Sequence, residues 1–196
     1  MPVNISLDSN TEALSRAGIF LKNEPEKIKN AVSHAVNRSL ESFKTINVRE
    51  TASKYFVKQK DVRDSMKVQE SSGGDMHGAV VSRGKRHLLA DYKISPTSPK
   101  SRGKTEIKGA VKREGGLKKL RDESFMVKRK GGKYFPFFRV GYRREARKYG
   151  DIRAYVSPSF PQIVKNKETV AEAEKKARQT FENRLEHELK RVGALP

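Results

Sequence analysis

Ile152-Arg153-Ala154-Tyr155-Val156-Ser157-Pro158-Ser159-Phe160-Pro161-Gln162 is the stretch where a glycine- and aromatic-rich middle gives way to one long charged helical pattern. Its two prolines each fix a φ angle and remove an amide donor. Each also holds the residue before it in extended backbone. The expectation is a rigid corner, built on Pro158, Ser159, Pro161 and Gln162, in which the chain neither continues a strand nor begins a helix before Pro161. Beyond it, from about Asn166 to Val192, the residues Val170, Ala173, Ala177, Phe181, Leu185, Leu189 and Val192 recur on one narrow line. That is the period of an amphipathic helix solvated on most faces. Its flanks interleave seven bases with six acids over residues 167–191. Spacings such as Arg184 to Glu188 allow pairing on the helix surface, and so nearly neutral a face suits packing beside copies of itself.

Working toward the N-terminus, Tyr134 to Tyr142 holds the densest aromatic cluster, with Phe135, Phe137 and Phe138. It reads as a strand at the heart of a sheet, with its aromatics as core. Gly131-Gly132 turns the chain back to a strand over Ser124 to Lys128, and a further strand is expected at Thr105 to Val111. Arg83 to Lys104 reads as a long loop with one short strand around Leu88 to Ile94. Gly73-Gly74 marks a hairpin between Lys67–Glu70 and His77–Ser82. A short helix is expected just before it, within Val57–Val68.

Asn23-Glu24-Pro25-Glu26 opens a long helix reaching toward Tyr55, because proline is tolerated in a first turn and acids complement the helix dipole there. Its apolar stripe is thin, with alanine and serine where a thick core would take leucine. Residues 3–8 alternate Val3, Ile5 and Leu7 with polar residues, the period of a short strand. The order is helix, antiparallel strands, helix: an α+β fold with a central, mostly antiparallel sheet, long basic loops and no βαβ repeat. The domain reading is an N-terminal arm over residues 1–22 and a single domain over 23–196.

A chain of 196 residues suits one domain of ordinary size. Hydrophobic residues make up 35% and charged residues 34%, against about 25% charged in typical domains, so the core is small and much surface is left for partners. The formal charge of +20 attracts polyanions or acidic protein surfaces. It is also local. Residues 83–148 carry 22 Lys and Arg against 6 Asp and Glu, a surplus of 16. The candidate interaction residues lie there: Lys128, Arg129, Lys130, Lys133, Arg143, Arg144, Arg147 and Lys148. Such a run reads as a solvated surface, an acidic-partner interface or a DNA-facing lumen.

No catalytic, cofactor-binding or metal residues are assigned. Cysteine is absent, and His34, His77, His87 and His187 stand far apart in sequence. The glycine pairs lack the context of a phosphate loop. Asp61 with Asp64, and Asp122 with Glu123, sit in basic surroundings where nothing raises a carboxyl pKa. An enzyme is not expected. No apolar run reaches a membrane span, and the first residues lack the order of a signal peptide, so a soluble protein is expected.

Several segments together resemble the minor tail protein Z family of tailed phages. They are the helix with Ala31, Ala35, Asn37, Arg38 and Ser39; the run Val57-Lys58-Gln59-Lys60-Asp61-Val62-Arg63; Phe138-Arg139-Val140-Gly141; Ile152 to Gln162; and Glu182-Asn183-Arg184-Leu185-Glu186-His187-Glu188-Leu189. The resemblance implies a structural virion protein that completes the head-proximal end of a tail and helps join head to tail at the neck. It implies a ring of copies, a hexamer by analogy with such tails. The implied partners are the tail tube or tail terminator protein, head connector proteins and phage DNA passing through a lumen, with assembly in the host cytoplasm and no membrane. Val156 and Ser157 depart from the pattern, which leads to the expectation of glycine and a flexible neighbour before Pro158. The alternative from another class is a cytoplasmic nucleic-acid-binding protein that uses residues 83–148.

Overall fold

In a computed structural model the described residues are 25–72, 77–100, 105–140 and 151–193. The arm over residues 1–22 and the candidate residues Arg143, Arg144, Arg147 and Lys148 lie outside them. The chain has the expected α+β composition: a long helix, small antiparallel sheets, then a long helix. It divides into two compact units, one made of residues up to Thr51 with Gln59–Gly84 and Phe160 onward, the other of Ala52–Lys58 and Lys85–Ser159.

The first unit is built on α1 (Pro25–Lys54). Ile28, Ala31, Val32, Ala35, Leu40, Phe43 and Val48 are buried along it. Between them Ser33, Ser39, Asn47 and Thr51 are buried too, so the thin apolar stripe is a mixed one. Buried polar groups are tolerable only when hydrogen-bonded, and these are. The Asn37 amide donates to the Ser71 carbonyl, and its oxygen accepts from the Ser71 N–H at 2.7 Å. The Asn47 amide donates to the Val164 carbonyl at 3.1 Å, while Thr51 donates to the Asn47 oxygen. These bonds fix α1 against the other segments of its unit by directional contacts that a purely apolar stripe lacks.

After α2 (Gln59–Asp64), β1 (Met66–Gln69) and β2 (Ala79–Ser82) pair antiparallel, Met66 opposite Ser82 and Gln69 opposite Ala79. This is the expected hairpin. The unit closes with α3 (Phe160–Val164) and α4 (Lys167–Arg191). The Asn166 side chain caps α4 by accepting the Glu168 N–H at 3.0 Å, which satisfies one of the donors a helix start leaves open. Ala173, Ala177, Phe181, Leu185 and Leu189 are buried on one line as the periodicity predicts. Each of the larger three contributes about 1.5–3 kcal/mol by burial.

The second unit holds the remaining strands. β3 (His87–Leu88) pairs with β10 (Val156–Ser157). β4 (Lys93–Ser95), β5 (Lys108–Ala110) and β6 (Lys118–Lys119) form a three-stranded sheet, as do β7 (Phe125–Lys128), β8 (Tyr134–Val140) and β9 (Asp151–Ala154). Leu89, Ala90 and Ile94 form a small core with Val111, Leu120, Met126, Phe135 and Tyr155 packed on it.

Three expectations are corrected. The segment Leu88–Ile94 is not one strand. The Asp91 carboxylate accepts the Leu88 N–H, and Tyr92 N–H donates to the Leu89 carbonyl, drawing residues 89–91 into a 3₁₀ turn between β3 and β4. The corner contains strand: β9 and β10 run through Asp151–Ser157, and extended pairing stops only at Pro158, while α3 begins one residue before Pro161. A proline in a first turn lacks only a donor that the helix does not use. Finally, the β8 aromatics are core only in part: Phe135 packs on the Leu89, Ala90 and Ile94 cluster, but none of them is fully buried. Tyr134, Phe135, Phe137 and Phe138 are half-exposed, and only Pro136 on that strand is buried.

Candidate functional site

The basic half of the predicted site stands on the β7–β8 hairpin. Phe125 lies opposite Phe137, Val127 opposite Phe135 and Lys128 opposite Tyr134. The tip is Arg129-Lys130-Gly131-Gly132-Lys133. Both glycines have positive φ, 95° and 81°, a region costly for any side-chain-bearing residue. Two backbone bonds, Arg129 N–H to the Lys133 carbonyl and Gly132 N–H to the Arg129 carbonyl, each 3.0 Å, hold the turn. Lys128, Arg129, Lys130 and Lys133 are therefore brought together, exposed, on one short hydrogen-bonded turn. Lys133 meets Asp91 at 3.1 Å. Among the described residues the other three have no acid partner.

Cations also cover the half-exposed rings. The Arg121 guanidinium lies 4.7 Å from the centre of Phe138, and Arg139 lies 5.4 Å from Phe125. Arg129 and Lys133 sit 5.4 and 5.3 Å from the centre of Phe135. Tyr155 packs on Phe138 at 4.8 Å, and its hydroxyl is 2.7 Å from that of Ser124. Each exposed cation–ring contact is worth about 0.5–1 kcal/mol. The sequence separates an aromatic strand from a run of bases and does not reveal that the bases lie over the rings. It also does not single out Arg121 and Tyr155, which join this surface from outside the aromatic run.

The corner is fixed within each unit by its own contacts. In the second unit the Tyr92 hydroxyl donates to the Pro158 carbonyl at 2.7 Å. Burial, with the Tyr55 and Asp91 charges, pushes that phenol up to about 12, so it remains a donor at any physiological pH. Ser159 is buried, and Ser157 is buried with no hydrogen-bond partner for its hydroxyl among the described residues. In the first unit a methyl group added to Gly84 would lie 3.3 Å from Pro161 Cδ, so only glycine leaves this approach unstrained. Gln162 is exposed. Just before the corner, Ile152 and Val156 are 52% and 59% exposed, unusual for large apolar residues.

A last feature escaped the sequence reading. Glu188 on α4 is 2% exposed, its two oxygens held by Arg184 Nη2 at 2.7 Å and Arg191 Nε at 2.8 Å. Burial pushes its carboxyl up. The Arg191 hydrogen bond and the charges of Arg191, Arg184 and His34 outweigh that and hold it below the ordinary range. The Arg184–Glu188 spacing was visible. Its burial was not, because Glu188 falls beside, not on, the apolar line.

Among the described residues no group of three His, Cys, Asp or Glu is placed to hold a metal ion, and no helix is long and apolar enough to cross a membrane. Two shallow clefts, of about 300 and 260 Å³, are lined by Lys119, Arg121 and Asp122 and by Asp64, Lys67 and Arg83, with no triad geometry in either.

Compared with known families, residues 21–193 match prophage minor tail protein Z. The chain belongs to that family. The match takes in both long helices, the strands between them and the corner, so it covers the whole described fold. A search of curated proteins and one of solved structures return no match. Membership makes this minor tail protein a structural component of a phage tail, which implies a place in the virion, contacts with other tail components and a non-enzymatic role.

Proposed function

We propose that this chain completes the head-proximal end of the tail and helps join tail to head at the neck. The observation that carries the reading is the division of its surface. Residues 83–148 hold a surplus of 16 positive charges, gathered in part on a stiff hairpin tip, whereas α4 offers flanks of balanced charge. A chain that carries both kinds of surface suits a part that packs beside copies of itself through one and meets unlike, electronegative neighbours through the other. In this reading copies form a ring, six by analogy with the tail, on the tail tube or tail terminator protein, with head connector proteins above and DNA passing the basic surface. Residues 1–22 serve as an arm, and 23–196 act as one tail-completion domain.

The test is genetic and biochemical. A phage lacking the chain should make tails that do not join filled heads, and adding the purified chain should restore joining in vitro. Normal joining without it, or a defect confined to the distal end of the tail, contradicts the proposal. Particles that lack the chain while it accumulates in the cytoplasm favour the nucleic-acid-binding alternative.

A further inference from the structure

The half-exposed aromatics and the bases of the β7–β8–β9 sheet invite two opposite uses. If the ring faces are open, the sheet is a stacking platform for unpaired nucleobases. If they are covered, only the cations remain for a ligand. The structure places Arg121 over Phe138, Arg139 over Phe125, and both Arg129 and Lys133 over Phe135, all within 5.4 Å of the ring centres. Phe138 also packs against Tyr155, and Phe125 against Phe137. Phe125, Phe135 and Phe138 each therefore already carry at least one cation, with which a stacking base would have to compete. An arginine held within 5.4 Å of a ring centre keeps its charge and its five N–H donors, the group that suits phosphate oxygens.

We propose that this face binds the phosphate backbone of duplex DNA, with the aromatic rings acting as seats for guanidinium groups and not as partners of bases. The proposal deepens the reading of residues 83–148 as a contact surface and rests on it. Two features favour a duplex over an acidic protein. Protein interfaces draw much of their energy from aromatic side chains buried in the partner, and here Phe125, Phe135 and Phe138 are each engaged by a cation of their own chain. Lys128, Arg129 and Lys130 also project from a turn held by backbone bonds, with no acid partner among the described residues, so a regular polyanion meets charges that need little ordering. Such binding reads no sequence.

The full chain is titrated by fluorescence anisotropy against three probes: a duplex of about 20 base pairs, one of its strands alone, and polyglutamate of matching charge, each over a range of salt. The duplex should bind tightest, with log affinity falling linearly in log salt. Arg129→Gln and Lys130→Gln, both at exposed positions, should each make that slope shallower by about 0.9. Phe135→Leu keeps the charges but removes the seat of both Arg129 and Lys133, and should weaken duplex binding about 5- to 30-fold, the loss of two exposed cation–ring contacts. Tighter binding of the single strand overturns the proposal in favour of base stacking. Polyglutamate bound as well as duplex overturns it in favour of an acidic protein, and an unchanged slope in both Gln variants overturns it by locating the contact elsewhere. Failure here leaves a chain still built into tails, whereas failure of the tail reading shows as its absence from particles.

Discussion

At the scale of single residues, three side chains carry consequences that can be measured. The Ser157 hydroxyl is buried with no hydrogen-bond partner among the described residues, so the folded chain bears a desolvation cost that an alanine would not. Ser157→Ala is expected to stabilise the protein by about 1 kcal/mol, raising Tm by roughly 2–4 °C. A lower Tm in thermal denaturation would show that the hydroxyl is needed. Glu188 works in the other direction. Held below its ordinary 4.5 in the folded chain, it binds fewer protons there than in the unfolded chain at mildly acid pH. Its contribution is whole above about pH 4.5 and is lost as the pH falls through the lowered value. Glu188→Gln should cost about 1–3 kcal/mol at neutral pH in urea unfolding, with the gap to the parent chain closing in acid. A gap independent of pH would mean that packing, not charge, holds that position. For Tyr92, spectrophotometric titration should show one phenol ionising near pH 12, a step that Tyr92→Phe removes. Because the folded value is the raised one, the stability it supplies is complete below about pH 10 and is lost as pH rises through 12.

At the scale of elements, the packing argument predicts a contrast between buried and exposed apolar residues. Leu185 is fully buried on α4, and Leu185→Ala should cost about 2–5 kcal/mol. Ile152→Ser on β9, half-exposed already, should stay within about 0.5 kcal/mol of the parent. Equal losses would mean that the α4 line is not a core. The corner makes a second prediction. Replacing Pro158 and Pro161 by alanine should cost about 0.4–1 kcal/mol each through a freer unfolded chain, while impairing incorporation into infectious particles more than folding. Unchanged incorporation would remove the corner from the account of assembly.

The long elements were legible because their signals are long. Thirty residues of α1 and twenty-five of α4 repeat the same period many times, and Asn166 and the Pro25–Glu26 pair mark their starts. Strands of two to four residues, such as β6, β9 and β10, show one alternation at most. Their pairing is decided by partners far away in sequence: Val156 meets Leu88, and Phe138 meets Arg153. The basic tip of the site was legible from Lys128 to Lys133 as a charge run around two glycines. The cations over the rings were not, because Arg121 and Phe138 become neighbours only through the fold.

At the scale of the whole molecule, charge and family membership point the same way. A tail component with a surplus of positive charge in its middle third must be held against partners that offset that charge, since identical basic surfaces repel within a Debye length of about 8 Å at physiological salt. Assembly on tails in vitro should therefore weaken as salt rises if the basic segment carries the contact. It should persist if α4 carries it. The salt dependence of incorporation thus separates the two surfaces. We propose a passive architectural part at the head-proximal end of the tail, a place that can be checked by locating the chain on intact particles. Electron microscopy of virions carrying a tagged chain should show the label in a closed ring between tail and head. Label at the distal tip, or along the tube, would contradict the account.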